Sequence, residues 1–330
     1  MAAPSERGVA AAHGTSPAIE VVDLHKSYGA YAAVQGISFR VQRGEAVAFL
    51  GPNGAGKTTT VEILEGYREP TAGTVSVLGL SPGRDGRELR RRVGIVLQEA
   101  GFPPELTVTE LVGAWRRFYQ RPLPADEVIH DVGLWERRDV RAKNLSGGEA
   151  RRLDLALGIV GRPEVLFLDE PTTGFDPAAR LTAWELIARL VGAGTTLFLT
   201  THYLDEAQRL AGRILIIAGG RLVAEGSPDD IGGRQHAAGA VRFVLPPGRS
   251  AAELAGLAGL PADAAVTVAD DGEVAISSRD LLAASHAVTS WALAARLDLP
   301  GFRVERPSLQ DTYLAIIGAV GPASGTGVGR

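Results

Sequence analysis

The stretch Gly51-Pro52-Asn53-Gly54-Ala55-Gly56-Lys57-Thr58-Thr59 constrains this chain more than any other. It satisfies the pattern G-x-x-x-x-G-K-[ST] at every fixed position. It follows the apolar run Ala46-Val47-Ala48-Phe49-Leu50 and precedes a stretch that reads as a helix from Thr58 to Glu65. Strand, loop and helix in that order make a phosphate-binding loop. Small residues let successive backbone N–H groups turn inward around phosphates, and the start of the following helix adds the positive end of its dipole. Lys57 supplies a full positive charge there, and the Thr58 hydroxyl a Mg2+ ligand. The loop alone does not separate kinase, GTPase, helicase and transporter ATPase.

Two β-segments lead into the loop, Ile19 to Leu24 and Val34 to Val41, the second with Ile37, Phe39 and Val41 alternating against Ser38 and Arg40. Between them Tyr28 is expected on a turn. An aromatic face there can stack on a base, but by position alone packing or solvent exposure is the stronger reading. After the loop come a turn from Glu69 to Gly73, a strand from Thr74 to Leu78, an arginine-rich solvated helix face from Arg84 to Arg92, and a strand from Val93 to Leu97 that ends at Gln98. Thr107 and Glu110 have the spacing of a capping box, opening a helix in which Leu111, Trp115, Phe118 and Tyr119 share one face. That face is either core or a surface offered to a partner. Pro122 and Pro124 break the helix, and Asp126 to Glu136 reads as another. Ser146-Gly147-Gly148-Glu149 then opens a helix with Leu153, Ala156, Leu157 and Val160 on one face, a second helix start suited to phosphate.

The run Glu164 to Leu168 is a buried strand that ends in Asp169 and Glu170. Adjacent acids at a strand end point in alternate directions, so one can hold Mg2+ through water while the other orients an attacking water. A loop containing Asp176 follows, then a helix from Ala178 to Val191 and a buried strand from Thr196 to Thr200 that leads to His202. Ligands gather at the carboxyl ends of parallel strands, which favours a functional His202. No second histidine stands three or four residues away, so a helical metal pair is not indicated.

Composition narrows the classes of function. The 330 residues are 45% hydrophobic and 22% charged with a net charge of −4, enough for more than one domain and without global attraction to nucleic acid or an anionic surface. The absence of cysteine excludes disulfides, thiolate zinc sites and cysteine nucleophiles, and fits a reducing compartment. Residues 1–18 read as a disordered tail without a signal h-region. No run approaches the roughly 20 apolar residues needed to span a bilayer. The expectation is a protein soluble by itself, whose membrane role requires a partner.

Taken in order, the motifs resemble the ATP-binding subunit of ABC transporters from Ile19 to about Ala240. GPNGAGKTT is the phosphate loop, Gln98 matches the Q-loop, LSGGE at 145–149 the signature, VLFLDEP at 165–171 the Walker B region and His202 the switch histidine. The resemblance implies a P-loop NTPase with a RecA-like α/β core, an antiparallel β-subdomain and a helical subdomain at about 99–160. It reverses the reading of Tyr28, which becomes an adenine-stacking residue. It implies that residues Gly51 to Thr59 bind ATP, that Glu170 is the general base or water-orienting carboxylate, that Thr58, Gln98 and Asp169 serve Mg2+, and that His202 contacts the γ-phosphate. The family works as a head-to-tail pair, so Ser146, Gly147 and Gly148 of one copy would close on ATP held by the other, with Asp176 at the seam. Two positions depart from the family. Glu149 stands where glutamine is usual, adding negative charge near the seam, and Phe175 stands where leucine is common.

Beyond residue 240 the expected elements are a strand Val241 to Leu245, a short helix Ala251 to Leu257, a hairpin of Val266 to Val268 with Val274 to Ile276 around Asp270-Asp271-Gly272, a helix Arg279 to Leu297 and a strand Phe302 to Glu305. This β-α-β-β-α-β order describes a small ferredoxin-like α+β domain. Arg306 to Leu314 and Pro103 to Val108 resemble the corresponding stretches of daunorubicin-resistance-type ATPases of ABC-2 exporters. The expected division is a tail at 1–18, an ATP-binding domain at 19–240, an accessory domain at 241–317 and a flexible tail at 318–330. The expected function is ATP hydrolysis that powers export of a drug or antibiotic, with lipid or polysaccharide as alternatives, through a separate membrane permease. It is carried out by a homodimer with no nucleic-acid partner, in the cytoplasm at the inner face of the membrane. A non-transport ABC protein acting on ribosomes or DNA is the rival class, but such proteins usually carry tandem nucleotide domains or a long coiled coil, and this chain has one set of motifs and no sustained heptads. Intact Glu170 and His202 argue against a regulatory module that never hydrolyses, and the lack of N-K-x-D or T-K-x-D argues against a GTPase.

Overall fold

The computed structural model describes residues 16–96, 101–236, 238–269 and 271–320. The chain opens with an antiparallel hairpin, β1 (Ile19–Tyr28) and β2 (Tyr31–Val41), then enters β3 (Ala46–Leu50), the phosphate loop and α1 (Lys57–Leu64). The next strand, β4 (Ala72–Val77), joins the hairpin in a three-stranded sheet of order β2-β1-β4. A short α2 (Gly86–Leu89) and β5 (Val93–Val96) lead to the helices α3 (Val108–Arg116), α4 (Ala125–Asp131) and α5 (Gly147–Ile159). Then β6 (Val165–Asp169), α6 (Pro177–Gly192), β7 (Thr196–Thr200), α7 (Leu204–Leu210), β8 (Arg213–Ala218) and β9 (Arg221–Gly226) complete a six-stranded sheet of order β5-β6-β7-β3-β8-β9.

Crossover helices cover both faces of a parallel sheet, so its strands read as continuous apolar runs and not as alternating ones. AVAFL, VLFL and TLFLT behave this way, and every one of their residues is buried. In register, Ala48 lies opposite Leu199 and Ile214, and Asp169 lies opposite Thr200. The phosphate loop, the two acids and His202 therefore leave from neighbouring strands at one end of the sheet. The Phe198 ring sits 5.8 Å from Phe39 of the small sheet and 5.5 Å from Phe49, locking the two sheets together. Truncating one of these buried rings to alanine costs about 3–5 kcal/mol.

The helical segment follows its capping signals. Thr107 Oγ1 accepts from the Glu110 amide at 3.2 Å, and the Glu110 carboxylate accepts from the Thr107 amide at 2.9 Å. The expected apolar face of α3 holds only in part. The helix tightens after Arg116, where Arg117 and Phe118 donate to the carbonyls three residues back, and Phe118 turns outward to 68% exposure. The helix expected from Asp126 to Glu136 also divides. Gly133 takes φ +68° just beyond α4, and a single 3-10 turn at Trp135–Arg137 follows. The arginine-rich stretch forms only the four-residue α2, and the half-buried Arg92 clasps Glu164 at 2.6 and 3.0 Å.

The C-terminal unit consists of β10 (Gly239–Val244), α8 (Ala251–Ala255), β11 (Ala265–Val268), β12 (Glu273–Ser278), α9 (Leu281–Ala295) and β13 (Arg303–Glu305). Its sheet has the order β11-β12-β10-β13 with antiparallel neighbours throughout, the ferredoxin-like arrangement that the element order indicates. The chain then returns to the nucleotide-binding core. The last helix, α10 (Leu309–Val320), packs Leu309, Tyr313, Ile316 and Ile317 against a cluster that includes Ala207, Ile214, Ile216 and Ile231. Residues expected to close the accessory domain, together with 318–320 of the expected tail, are thus a helix seated on the core.

Candidate active site

The loop after β3 is shaped by contacts that admit no side chain. A Cβ on Gly51 would lie 2.3 Å from the Ile217 carbonyl oxygen, and Gly56 combines φ +104° with a virtual Cβ 2.5 Å from the Ala33 carbonyl oxygen. Lys57 Nζ folds back over the loop and donates to the carbonyls of Gly51 at 2.7 Å and Pro52 at 3.1 Å. Burial lowers the pKa of this ammonium, while Glu170 and Asp169 act in the opposite sense. A cleft of about 410 Å³ opens beside the loop. Asn53, Gly54, Gly56, Lys57, Thr58 and Thr59 form one side of it, and Asp169 and Glu170 also line it. Ala55 is buried beneath the loop and Pro52 is exposed.

Tyr28 lines the same cleft, 40% exposed. It is the last residue of β1 and not a turn residue, because β1 runs four residues further than the sequence pattern indicates and faces Tyr31 across the tight turn. Lys26 Nζ and Arg68 Cζ stand 5.3 and 5.5 Å from its ring centre. Tyr31 is a lining residue that sequence reasoning passed over, and its hydroxyl donates to the Gly54 carbonyl at 3.0 Å. The only signal for it was an aromatic on each side of a Gly-Ala turn.

The acids at the end of β6 occupy different environments. The Asp169 carboxylate accepts from the Thr200 hydroxyl on the neighbouring strand. Glu170 adopts φ +49°, a left-handed conformation that costs a non-glycine residue about 1–3 kcal/mol. Its amide donates to the Thr200 carbonyl at 3.0 Å, and Arg151 donates to the carbonyls of both acids. His202, just beyond β7, brings Nδ1 to 3.2 Å from Glu170 Oε1. The imidazole is backed by the Tyr203 ring at 4.0 Å, and Arg180 of α6 lies over Tyr203 at 4.5 Å. Behind this layer Glu206, fully buried, accepts from Thr172 at 2.8 Å and from the Trp184 indole at 2.9 Å.

The donor set suits Mg2+. The Thr58 hydroxyl and two carboxylates are hard oxygen ligands in one cleft, and Mg2+ is usually held by one or two carboxylates together with substrate phosphates. Among the described residues no group of three or more histidines and acids forms a self-sufficient metal site. Gln98 lies outside the described residues.

The remaining motif residues are not in this cleft. Ser146 caps α5, and Ser146 and Gly147 are exposed with Gly148 half-buried beside them. Asp176 caps α6, accepting from the amides of Ala178 and Ala179 at 3.0 and 2.9 Å, and is likewise exposed. The charge of Glu149 is spent within its own subunit: Oε2 accepts from the Ser146 amide at 2.8 Å and Oε1 pairs with Arg137 at 2.9 Å. Burial pushes this carboxyl up, but the Ser146 contacts and Arg137 outweigh it and hold it below the usual range. Phe175 is 7% exposed and fills the core that also holds Trp184, so this departure is a matter of packing.

Comparison with known proteins agrees with this geometry. Residues 34–173 match the ABC transporter family, and residues 239–308 match the C-terminal domain of ABC transporter domain-containing-like proteins. The daunorubicin/doxorubicin resistance ATP-binding protein DrrA of Streptomyces peucetius is 38% identical over 311 residues, covering 91% of this chain and 92% of that protein. The Nod factor export ATP-binding protein I of Paraburkholderia xenovorans is 43% identical over 216 residues, covering 64% of this chain and 71% of that protein. A solved ATP-binding subunit of an ABC transporter superposes with a TM-score of 0.60 at 29% identity, covering 64% of this chain and 90% of that one. This chain is an ATPase of the ABC transporter family and belongs with the daunorubicin-resistance-type ATP-binding subunits.

Proposed function

We propose that the chain hydrolyses Mg-ATP in sites shared between two copies and so drives export of a drug-like small molecule through a separate membrane permease. The observation that carries the hydrolytic reading is the Glu170–His202 contact of 3.2 Å, made by a carboxylate that lines one cleft with Lys57 and Thr58. In this reading Tyr28 stacks on adenine, and the loop amides from Asn53 to Thr59 with Lys57 hold the β- and γ-phosphates. Glu170 orients and deprotonates the attacking water, and His202 keeps Glu170 in place while contacting the γ-phosphate. Thr58, Asp169 and Gln98 would hold Mg2+, which supplies charge neutralisation on the phosphate oxygens when bound. Ser146, Gly147 and Asp176 are exposed, and Gly148 half-buried, at helix starts away from the cleft of their own chain, which suits contact with ATP carried by a second copy.

We take residues 19–240 with α10 as the ATP-binding domain, and the ferredoxin-like sheet and its two helices as the accessory domain. Drug export is favoured because the similarity to the daunorubicin/doxorubicin resistance protein runs through both, whereas the Nod factor relatives match about two thirds of the chain. In this reading the permease is a separate chain with this subunit on its cytoplasmic side; no helix among the described residues is long and apolar enough to cross a membrane. Reconstitution with the membrane subunit in inside-out vesicles tests the reading, using daunorubicin as the probe. Uptake that needs ATP and disappears in Glu170→Gln is expected. Hydrolysis without daunorubicin movement would overturn the assigned substrate, and absence of hydrolysis would overturn the whole reading.

A further inference from the structure

The second turn of α5 sets Arg151 against the inner side of the catalytic strand end. Its side chain is buried, 6% exposed. Nη2 donates to two consecutive main-chain carbonyls, Asp169 at 2.5 Å and Glu170 at 2.9 Å, while Nη1 reaches Asp154 Oδ2 at 3.3 Å. A guanidinium at this depth requires partners, and an ion pair with charge-assisted bonds supplies them. What it grips is the peptide whose left-handed φ of +49° aims the Glu170 carboxylate.

The same helix begins at Ser146, Gly147 and Gly148. Arg151 is the fifth residue after Ser146, a rise of about 7.5 Å along one helix. Leu153, Leu155 and Ala156 are buried, so α5 is anchored along its length. In the two-copy arrangement proposed above, on which this inference rests, the start of α5 meets nucleotide held by the partner. Glu170 of the same subunit acts on nucleotide in its own loop. One helix therefore touches both sites.

We propose that Arg151 is a positioning residue that carries the state of the signature end of α5 to the Asp169–Glu170 peptide, so that occupancy of one nucleotide site sets the readiness of the other. The planar fork is what makes this possible. With Nη2 on two carbonyls and Nη1 on Asp154 the guanidinium has one orientation, and movement of α5 is passed to the peptide. A lysine ammonium keeps the charge for Asp154 but cannot fix that plane.

The test uses the full chain with Arg151→Lys and Arg151→Met, reading the Kd of a fluorescent ATP analogue, kcat, KM, the Hill coefficient for ATP and Tm. Arg151 does not line the cleft. Binding of the analogue is therefore expected within about twofold of the unsubstituted protein, while kcat falls about tenfold in Arg151→Met and about threefold in Arg151→Lys. The Hill coefficient is expected to drop toward 1 in both. A folded Arg151→Lys protein with unchanged kcat and Hill coefficient would overturn the proposal. So would a loss of kcat matched by equal losses of nucleotide binding and Tm, the mark of a purely structural role. If Arg151→Met does not fold, Arg151→Lys decides alone. A Hill coefficient of 1 in the unsubstituted protein, or no hydrolysis by it, would overturn the two-copy reading itself, an outcome visible before any variant is made.

Discussion

His202 Nδ1 lies 3.2 Å from Oε1 of Glu170, joining the end of β7 to the end of β6 beside the phosphate-loop cleft. The contact is sustained from both sides. Arg151 and the Thr200 carbonyl hold the Glu170 peptide, while Tyr203, itself covered by Arg180, backs the imidazole. A side chain held this firmly beside the loop lysine is placed to act on water next to a phosphate.

Replacing Glu170 with glutamine keeps the size and most of the hydrogen bonds but removes the proton acceptor. General-base contributions of about 10²–10⁴-fold set the expected loss in kcat, with ATP affinity held within a few-fold. Phosphate release and nucleotide titration on the same preparation check this, and hydrolysis at the original rate would contradict the role given to Glu170.

Tyr28→Ala is expected to weaken ATP binding by about 5- to 150-fold, the range that stacking of about 1–3 kcal/mol per base implies. Tyr28→Phe, which keeps the ring, should bind nearly as well as the original. Equal affinity for all three proteins would show that the ring serves only the Lys26 and Arg68 contacts at 5.3 and 5.5 Å.

Glu149→Gln restores the residue usual in the signature. A glutamine oxygen can still accept from the Ser146 amide, so only the half-exposed Arg137 pair is lost. The expected stability change is below about 1 kcal/mol in denaturant unfolding. Glu149→Ala removes the capping box too and should cost about 1 kcal/mol. Equal stability of the two variants would contradict the capping role.

Glu65, 1% exposed at the end of α1, has no hydrogen-bond donor on either carboxylate oxygen among the described residues. Burial, with Asp169 and Glu62 adding to it, raises its carboxyl from 4.5 to about 8. The folded protein therefore keeps a proton that the unfolded chain releases near pH 4.5. Its favourable contribution is complete below that pH and is lost as pH rises through about 8. Glu65→Gln should raise Tm relative to the original protein by several degrees more at pH 8 than at pH 5. A Tm difference that does not change with pH would contradict the assignment.

Much of this site was legible because its signals are short. The phosphate loop, the acids after VLFL, His202 after TLFLT and the Thr107 and Ser146 capping boxes each occupy fewer than ten residues and depend on local geometry. The parts that escaped depend on residues distant in sequence. Arg151 meets Asp169 and Glu170 only after α5 packs against β5, the strand beside β6, and Tyr31 meets Gly54 only once the small sheet folds over the loop. The placement of α10 on the core needed its apolar face to find Ile231 and Ala207, across the whole ferredoxin-like unit. Phe118 followed a helical period that a tightening of the backbone after Arg116 interrupts.

The sharing of each site between two copies is tested most directly by mixing two inactive variants, Glu170→Gln and Ser146→Arg. The first lacks the base but keeps its signature, and the second lacks the signature but keeps its base. In random pairing half the dimers are mixed, and each mixed dimer has one complete site out of two, so the mixture should recover about a quarter of the original rate. A mixture no more active than its two parents would contradict a site built from Glu170 of one copy and Ser146 of the other.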